Sequence, residues 1–407
     1  MQSFIGFKDA LDLTLSHVSV NETEYLPLNQ LTGKILAEDA ISQVDCPSIS
    51  TSRKDGYAVV SSDLVQANEQ KPISLKIHGS LSAGDRRQLT IHSGQTVRVT
   101  TGAPLPDGAD AVLSEEFCRP QTNRILAFNT AEAGRNIHHR AGDIRTGEVV
   151  AAKNTRLHPA LIGLLAAAGL DRVAVFRSPR VAVIATGNEV VAPGKPLLRG
   201  QLYASNMVEI GAWLLQFGLS HKMWSVPDSK QKIKKAISES LPEFDVFLTS
   251  GGAWGSERDL ILDVASDLNW QGVYHRVRMG PGKPVGFGLL EKKPFFCLPG
   301  GPPSNEMAFL QLALPALLKM LGYSSLFLPL TRARLTTTVF GRKNWTDFIH
   351  ASLEKRENRL WVQPARLKSA LRSMAEKEAL IIIPENREKI ESGETIEIQM
   401  LSLDLLV

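Results

Sequence analysis

Polar and glycine-rich segments follow predicted strands in the second half of the chain, and their composition suits an anionic ligand. They lie at 186–189, 228–229, 250–252, 280–284 and 299–304. In an open α/β sheet the carboxyl ends of the strands line the ligand crevice, so we expect these loops to converge on one site. Glycines let backbone N–H groups approach an anion, and helix N-termini add partial positive charge. The pattern predicts a phosphate-bearing small molecule as ligand.

The elements that position these loops alternate in type from residue 178 onward. Apolar β-branched runs such as 181–185 predict buried strands, and the intervening patterns predict helices, as in βαβ units. Asn206 and Glu209 have the spacing of a capping box at the start of a helix over 206–217. A long apolar helix is predicted over 303–321. Residues 178–325 are therefore predicted to form one doubly wound α/β domain.

The remaining segments predict three further units. Residues 45–143 are rich in β-formers and turns and form a β-rich insertion domain, in which Asp55 and Gly56 give a hairpin signal. Residues 1–44 and 144–177 flank that domain and form a discontinuous linker domain. Short alternating strands after residue 326 predict a small β-barrel over 326–407. The predicted fold class is thus multidomain α/β plus β.

Composition excludes several classes of protein. A length of 407 residues corresponds to about 2.7 domains of typical size. A net charge of +4 does not indicate a nucleic-acid-binding protein. The three cysteines form neither a disulfide framework nor a zinc motif, and the longest apolar run is about half a bilayer span. We expect a cytoplasmic protein without a membrane or nucleic-acid partner.

Several common catalytic signatures are absent from the sequence. The chain contains no Walker A motif, no GxGxxG after a strand, no GxSxG and no HExxH. P-loop ATPases, dehydrogenases, serine hydrolases and zincins are therefore disfavoured. His138 and His139 with Asp143 could suggest a metal site, but adjacent histidines seldom bind one ion, so solvated side chains are the favoured interpretation.

Seven motifs in one order and spacing carry a family resemblance. They are DGYAV at 55–59, TGAPLPDGADAV at 101–112, NIHHRAGD at 136–143, TGNE at 186–189, SGG at 250–252, PGKP at 281–284 and LPG at 298–300. Together they cover essentially the whole chain. In these motifs the chain resembles the molybdopterin molybdenumtransferases of molybdenum-cofactor biosynthesis, which are related to the gephyrin E domain.

The resemblance implies an elongated, four-domain homodimer that uses Mg²⁺. Such an enzyme takes adenylylated molybdopterin and molybdate, releases AMP and leaves molybdenum on the dithiolene. Its active site lies in a cleft of the α/β domain that the insertion domain of the partner subunit completes. The α/β domain is also similar to the molybdopterin adenylyltransferase, with which contact is expected.

The resemblance assigns catalytic roles to four carboxylates, Asp55, Asp143, Glu189 and Asp259, and metal binding to Glu189 and Asp259. Asp55 also fits a simple Asp-Gly turn. Asp259 also fits a helix cap with Ser256, and both interpretations of Asp259 stand. The substrate-binding residues that the resemblance implies are Thr101, Asp228, Ser250, Gly251, Gly252, Lys283, Pro299, Pro302 and Ser369. Among them, Lys283 suits an oxyanion, and Pro299 and Pro302 stiffen the loop before the last helix.

The chain departs from the family pattern around the predicted anion site. Arg53 and Lys54 precede Asp55 and are expected to lower the pKa of its carboxyl group. Gly280 replaces a lysine, Gly301 replaces an asparagine and His350 stands where an arginine is frequent. These departures leave two alternatives open: a variant enzyme that selects tungstate or another pterin, and a non-catalytic molybdopterin-binding scaffold. A weaker third alternative is an adenylyltransferase that acts on ATP.

Overall fold

The computed structural model describes residues 1–251, 260–357, 359–365 and 369–401. The chain divides into two compact units. The core unit comprises Met1–Glu24, Gly33–Ala37 and Ala174–Val407, and the insertion unit comprises Tyr25–Thr32 and Glu38–Val173. Within the described ranges, no helix is both long enough and apolar enough to cross a membrane.

The core unit contains both strands and helices up to residue 320, with consecutive strands at 181–203 and again at 271–298. Its strands are Gln2–Gly6, Val181–Thr186, Val190–Val191, Leu202–Tyr203, His221–Val226, Val246–Ser250, Gln271–Gly280, Gly286–Leu290, Lys293–Leu298, Leu330–Leu335, Val339–Phe340, Thr346–Arg356, Arg359–Pro364, Ala379–Ile383, Lys389–Ile390 and Thr395–Met400. Its α-helices are Phe7–Ser16, Ser205–Gln216, Lys230–Ser240, Leu260–Asp267, Pro302–Ala308, Leu314–Met320 and Ala370–Glu376. The strands Thr23–Pro27 and Arg172–Phe176 span the points where the chain passes between the units.

The central sheet confirms the doubly wound prediction. Its parallel strands stand in the order His221–Val226, Val181–Thr186, Val246–Ser250 and Lys293–Leu298. Val181 and Val183 pack into one apolar cluster, whereas Ala182 and Ile184 pack into another on the opposite face. Because helices cover both faces, the strand is apolar from Val181 to Ala185, as buried parallel strands are.

Antiparallel strands, which the sequence did not predict as such, extend this sheet. Gly286–Leu290 pairs with Lys293–Leu298 and with Gln271–Gly280, and the latter pairs in parallel with Gln2–Gly6. The end of Gln271–Gly280 also pairs with the start of Thr346–Arg356. That pairing places the loop after residue 280 beside the C-terminal strands.

The last apolar helix is interrupted rather than continuous over 303–321. It is α-helical over Pro302–Ala308, π-helical over Phe309–Ala313 and α-helical again over Leu314–Met320. Pro315 has no N–H to donate to the carbonyl group of Gln311, so the regular pattern cannot continue through this turn.

The C-terminal strands close into a five-stranded barrel, as predicted. The cyclic order is Leu330–Leu335, Thr395–Met400, Ala379–Ile383, Thr346–Arg356 and Arg359–Pro364. Alternate side chains, among them Leu335, Val362 and Ile381, fill the interior.

The insertion unit is β-rich. Its strands are Ala40–Ile41, Thr51–Ser52, Gly56–Val59, Ile73–Leu81, Gln95–Val99, Ala111–Ser114, Cys118–Pro120, Arg124–Ala127, Ile137–His138 and Val149–Ala151, and its α-helix is Pro159–Ala167. Six of these strands form one sheet, in the order Ala111–Ser114, Gly56–Val59, Gln95–Val99, Ile73–Leu81, Arg124–Ala127 and Cys118–Pro120.

The hairpin predicted at Asp55 and Gly56 is wrong. Thr51–Ser52 pairs with Ile137–His138, whereas Gly56–Val59 pairs with Gln95–Val99 and Ala111–Ser114. A Cβ atom on Gly56 would lie 2.2 Å from the carbonyl oxygen of Leu113. Glycine is required there because two backbones approach closely, and not because a turn needs positive φ.

Candidate functional site

Two glycine loops meet at the carboxyl ends of the central strands. After Val181–Thr186 the chain adds His221–Val226 on one side and then Val246–Ser250 on the other, so the end of Val181–Thr186 is a switch point of the sheet. Gly187 and Gly251, which follow Thr186 and Ser250, have φ values of +146° and +105°. A Cβ atom on Gly251 would lie 2.6 Å from the carbonyl oxygen of Thr186. The predicted residues Ser250 and Gly251 therefore adjoin the 186–189 loop.

Two asparagines that the sequence analysis did not assign to the site hold a third loop against these two. The side-chain N–H of Asn206 donates to the carbonyl oxygen of Gly300 at 2.8 Å, and that of Asn305 donates to the carbonyl oxygen of Pro299 at 2.7 Å. Both amides also donate to the Ser250 hydroxyl, at 3.4 and 3.1 Å. Asn206 is therefore not a helix cap, and the capping box predicted with Glu209 is wrong, since the helix begins at Ser205 without a side-chain cap.

Glu189 and Asp228 lie on neighbouring loops. Both carboxylate oxygens of Glu189 lie 2.8 Å from the position that a Cβ atom on Gly187 would take. The backbone N–H of Asp228 donates to Oδ1 of Asn188 at 3.1 Å. Gly252 and Asp259 lie outside the described residues. Over the described ranges, no group of three or more His, Cys, Asp or Glu side chains could hold a metal ion.

A cavity of about 520 Å³ lies between the 280–284 and 299–304 loops. It is lined by Met279, Gly280, Pro281, Gly282, Lys283, Pro284, Pro299, Gly300, Gly301, Ser304 and Arg342. Pro302 is the first residue of the adjoining helix. The structure therefore brings Lys283 and Pro299 together, and Gly300 connects the cavity to Asn206 and Ser250.

Lys283 brings a positive charge to this cavity. Its Nζ lies 5.4 Å from the ring centre of Phe4 and 5.9 Å from that of Trp345, within range of cation–π attraction. No ion pair joins Lys283 to a carboxylate of the described residues. The two rings thus position the ammonium group, which is available to an anion in the cavity.

In the insertion unit, Asp55 and Thr101 form a pair. Oδ1 of Asp55 accepts hydrogen bonds from the backbone N–H of Thr101 at 2.6 Å and from its hydroxyl at 3.0 Å. These bonds, the backbone one first, hold the pKa of Asp55 below its ordinary value, with a smaller contribution from Arg98. The direction agrees with prediction, but the causes are Thr101 and Arg98 rather than Arg53 and Lys54.

Asp143 and Ser369, also predicted as site residues, have local partners. Oδ2 of Asp143 lies 3.1 Å from Nε2 of His138, whose side chain is 26% exposed, whereas His139 is exposed. Of the two adjacent histidines, His139 is exposed to solvent and His138 is partly exposed beside Asp143. The Ser369 hydroxyl accepts from the backbone N–H of Arg372 at 3.4 Å and so caps the helix Ala370–Glu376.

A buried charge cluster, formed by Glu209, Glu306, His350 and Lys377, lies behind the 299–304 loop. The side chain of Glu306 is 1% exposed and binds the ammonium group of Lys377, which is 5% exposed. Nε2 of His350 lies 3.4 Å from Oε2 of Glu306, and His350 does not line the cavity. His350 therefore faces Glu306, which differs from its expected place at the anion site.

The two glutamates of this cluster have opposite pKa shifts. Burial is the largest cause that raises the pKa of Glu209 to about 8, and the hydrogen bond with Glu306 is the second. Burial also acts to raise the pKa of Glu306, but contact with His350 and the charge of Lys377 outweigh it and lower that pKa. The raised pKa favours the protonated form of Glu209, which can donate to the Glu306 carboxylate.

Stability is expected to fall as pH rises through the titration of Glu209. Folding raises the pKa of this carboxyl group from 4.5 to about 8. Its contribution to stability is therefore fully present below pH 4.5 and is lost as the pH rises to about 8. Glu209→Gln keeps a neutral donor that does not titrate. The free energy of unfolding of this variant, measured with urea, should therefore depend less on pH between pH 5 and pH 8. The Glu306 shift acts below pH 4.5, outside that window. An equally steep pH dependence in the Glu209→Gln variant would contradict this assignment.

Comparison with known proteins gives matches along nearly the whole chain. Residues 5–169 match the MoeA N-terminal region (domains I and II). Residues 182–319 match a probable molybdopterin binding domain, and residues 332–401 match the MoeA C-terminal region (domain IV). A molybdopterin molybdenumtransferase of Haemophilus influenzae is 30% identical, over 93% of this chain and 94% of its own length. Another from Nostoc is 30% identical over 84% of this chain and 77% of its own length.

The solved structures give the same result. A molybdopterin biosynthesis MoeA protein from Pyrococcus horikoshii superposes with a TM-score of 0.85 and 32% identity, covering 98% of this chain and 99% of its own. A second MoeA structure from that organism has a TM-score of 0.79 and 27% identity, covering 98% and 100%. Sequence and fold therefore agree over both units.

Proposed function

This chain belongs to the molybdopterin molybdenumtransferase family and acts in molybdenum-cofactor biosynthesis, and from that premise we propose how its residues serve the reaction. The substrates are adenylylated molybdopterin and molybdate. The products are AMP and a pterin dithiolene that carries molybdenum. The observation that carries the proposal is the convergence of the 186–189, 250–251 and 299–301 loops beside a cavity whose lysine, Lys283, has no ion pair among the described residues.

The glycine loops suit the phosphate groups of the pterin substrate. Gly187 and Gly251 let the Glu189 carboxylate and the Thr186 carbonyl group lie close to the loop backbones, and the Asn206 and Asn305 amides fix the loop positions. Preorganised N–H donors stabilise the charge that develops when a phosphoanhydride is cleaved. Lys283, in the adjoining cavity, suits the oxyanion molybdate.

Asp55 serves as an acceptor or base and not as an acid. Its lowered pKa keeps the carboxylate ionised at neutral pH. An ionised carboxylate can orient the water whose oxygen attacks phosphorus and can take its proton as the anhydride P–O bond breaks. We assign Asp143 to the same step in a supporting role.

The donor chemistry of the core unit fits Mg²⁺. Magnesium ions in phosphate-processing sites are held by one or two carboxylates, with water and substrate phosphates completing the shell. Glu189 offers an oxygen ligand on the loop at the switch point, with Asp259 as the second assigned ligand. The ion, when bound, would neutralise phosphate charge; loss of activity with EDTA and its return with Mg²⁺ would test this.

We further propose a homodimer whose active sites combine the core unit of one subunit with the insertion unit of the other. The division of assigned residues between units motivates this, since Asp55 and Asp143 belong to one and Glu189 and Lys283 to the other. Light scattering should give a dimer. Mixing inactive Asp55→Asn and Lys283→Ala subunits should restore about a quarter of the activity, because about half of all dimers are mixed and each has one intact site. No recovery after verified subunit exchange would contradict the composite site.

AMP release tests the proposed reaction. Purified protein with adenylylated molybdopterin and Mg²⁺ should release AMP when molybdate is added, measured by chromatography. Faster release with tungstate would favour the variant enzyme, for which Gly280 and Gly301 in the cavity wall are the motivating observation. Tight pterin binding without AMP release under either oxyanion would favour the scaffold. We also propose a cytoplasmic location and substrate delivery by contact with the molybdopterin adenylyltransferase.

A further inference from the structure

Gly280 leaves a space in the cavity wall that another residue fills. Gly280 is aligned with Asp347 across the paired strands. A Cβ atom on Gly280 would lie 1.5 Å from Nη2 of Arg342 and 2.5 Å from Oδ1 of Asp347. The guanidinium group of Arg342 thus occupies the position that a side chain at residue 280 would take.

Arg342 is held firmly in that position. Its Nε donates to Oδ1 of Asp347 at 3.1 Å and its Nη2 donates to the same oxygen at 2.5 Å, while its backbone N–H donates to Oδ2 at 2.8 Å. Its guanidinium carbon lies 3.7 Å from the ring centre of Trp345. A carboxylate and a ring together fix the plane of the guanidinium, so its remaining donors have a set direction.

The same tryptophan lies beneath both cations of the cavity. Lys283 and Arg342 are attracted to the Trp345 ring, which stands edge-on to Phe4 with ring centres 5.7 Å apart. Both cations line the cavity, and no acidic residue does so among the described lining residues. The Asp347 carboxylate compensates Arg342 from behind, and its side chain is only 11% exposed. Two converging positive charges without an acid in the wall suit a small dianion.

We propose that Arg342 is the second oxyanion-binding residue of this cavity and binds molybdate together with Lys283. The proposal rests on the function proposed above and adds a residue from the C-terminal region to the anion site. Arg342 thereby supplies the positive charge that the lysine of the family pattern would bring at residue 280. Nη1 of Arg342, which has no hydrogen-bond partner among the described residues, is the donor for the oxyanion.

Direct binding tests this assignment independently of catalysis. Molybdate affinity of the whole protein, measured by equilibrium dialysis without pterin, should fall at least about tenfold in Arg342→Gln, the loss expected for one charged hydrogen bond. Glutamine retains a donor for Asp347, and thermal unfolding should verify the fold. The half-saturating molybdate concentration for AMP release should rise by a similar factor. Unchanged affinity in folded Arg342→Gln protein would overturn the proposal.

A matched control and a rescue sharpen the test. The guanidinium carbon of Arg356 lies 5.3 Å from the ring centre of Trp361, and Arg356 pairs with Glu354 at 2.5 Å. Arg356→Gln therefore removes similar ring and carboxylate contacts outside the cavity and should leave the molybdate affinity unchanged. Gly280→Lys combined with Arg342→Ala should recover molybdate binding relative to Arg342→Ala alone, because the lysine enters the vacated space. Equal weakening by Arg356→Gln would overturn the assignment. If none of these variants, nor the unmodified protein, releases AMP but dialysis shows these differences in molybdate affinity, the proposed reaction is wrong and the assignment of Arg342 to oxyanion binding stands.

Discussion

Asp55→Asn is expected to lower the rate of AMP release by about 10²- to 10⁴-fold, the range for loss of a general base. Asparagine preserves the size of the side chain and an oxygen that can accept from Thr101, but it can neither carry the charge nor take a proton. The substrate affinity should change little by comparison. Single-turnover AMP release with bound adenylylated molybdopterin measures this effect separately from binding.

Asp63 provides a matched control in the same unit. Its carboxylate accepts a backbone N–H from Gly94 at 2.8 Å and a hydroxyl from Ser93 at 2.6 Å, the same types of bond that Thr101 donates to Asp55. Asp63→Asn should therefore have a similar local effect and leave the rate of AMP release unchanged. Equal losses in both variants would assign Asp55 to structure, and a fully active Asp55→Asn protein would exclude it as the base.

Lys377→Met is expected to destabilise the core unit by about 3–5 kcal/mol, because it leaves the Glu306 carboxylate without its buried partner. Methionine approximates the lysine stem, so the apolar packing changes little. Glu306 is in the helix that follows the 299–304 loop, and Lys377 follows the helix Ala370–Glu376. Urea unfolding at pH 7, with tryptophan fluorescence as the signal, measures the loss.

Two further variants separate burial from charge. Lys235 and Glu239 form a surface pair at 3.7 Å with side chains 72% and 68% exposed, so Lys235→Met should cost about 0.5 kcal/mol or less. Adding Glu306→Gln to Lys377→Met should regain part of the lost stability, since no unpaired charge remains buried. A loss for Lys377→Met as small as that for Lys235→Met would show that water reaches the cluster.

The sequence pattern predicts the fold well where local periodicity decides the structure. The apolar run at 181–185 is a strand buried on both faces, and helices alternate with strands over 205–250 as expected. The antiparallel strand Gly286–Leu290 was missed because its glycines weaken the strand signal. A Cβ atom on Gly288 would lie 2.4 Å from the backbone oxygen of Gln271. The close approach of the two strands therefore requires glycine at this position, although glycine has a low propensity for strands.

The site is less predictable because its partners meet only through the fold. At residue 280 the pattern indicates a lost cation, and nothing in the local sequence indicates that Arg342 fills the same space. Asn206 has the spacing of a cap, yet its amide binds the loop at Gly300. The Glu306–Lys377 pair likewise joins segments far apart in sequence. Pairing of polar residues over long sequence distances leaves no periodic signal.

The coupling of molybdenum insertion to AMP release tests the central claim most directly. Purified protein should be incubated with adenylylated molybdopterin, Mg²⁺ and molybdate, after which metal bound to the isolated pterin and free AMP are both quantified. The account predicts one molybdenum on the pterin for each AMP released, and neither product with Asp55→Asn. AMP release that leaves the pterin free of molybdenum would contradict it.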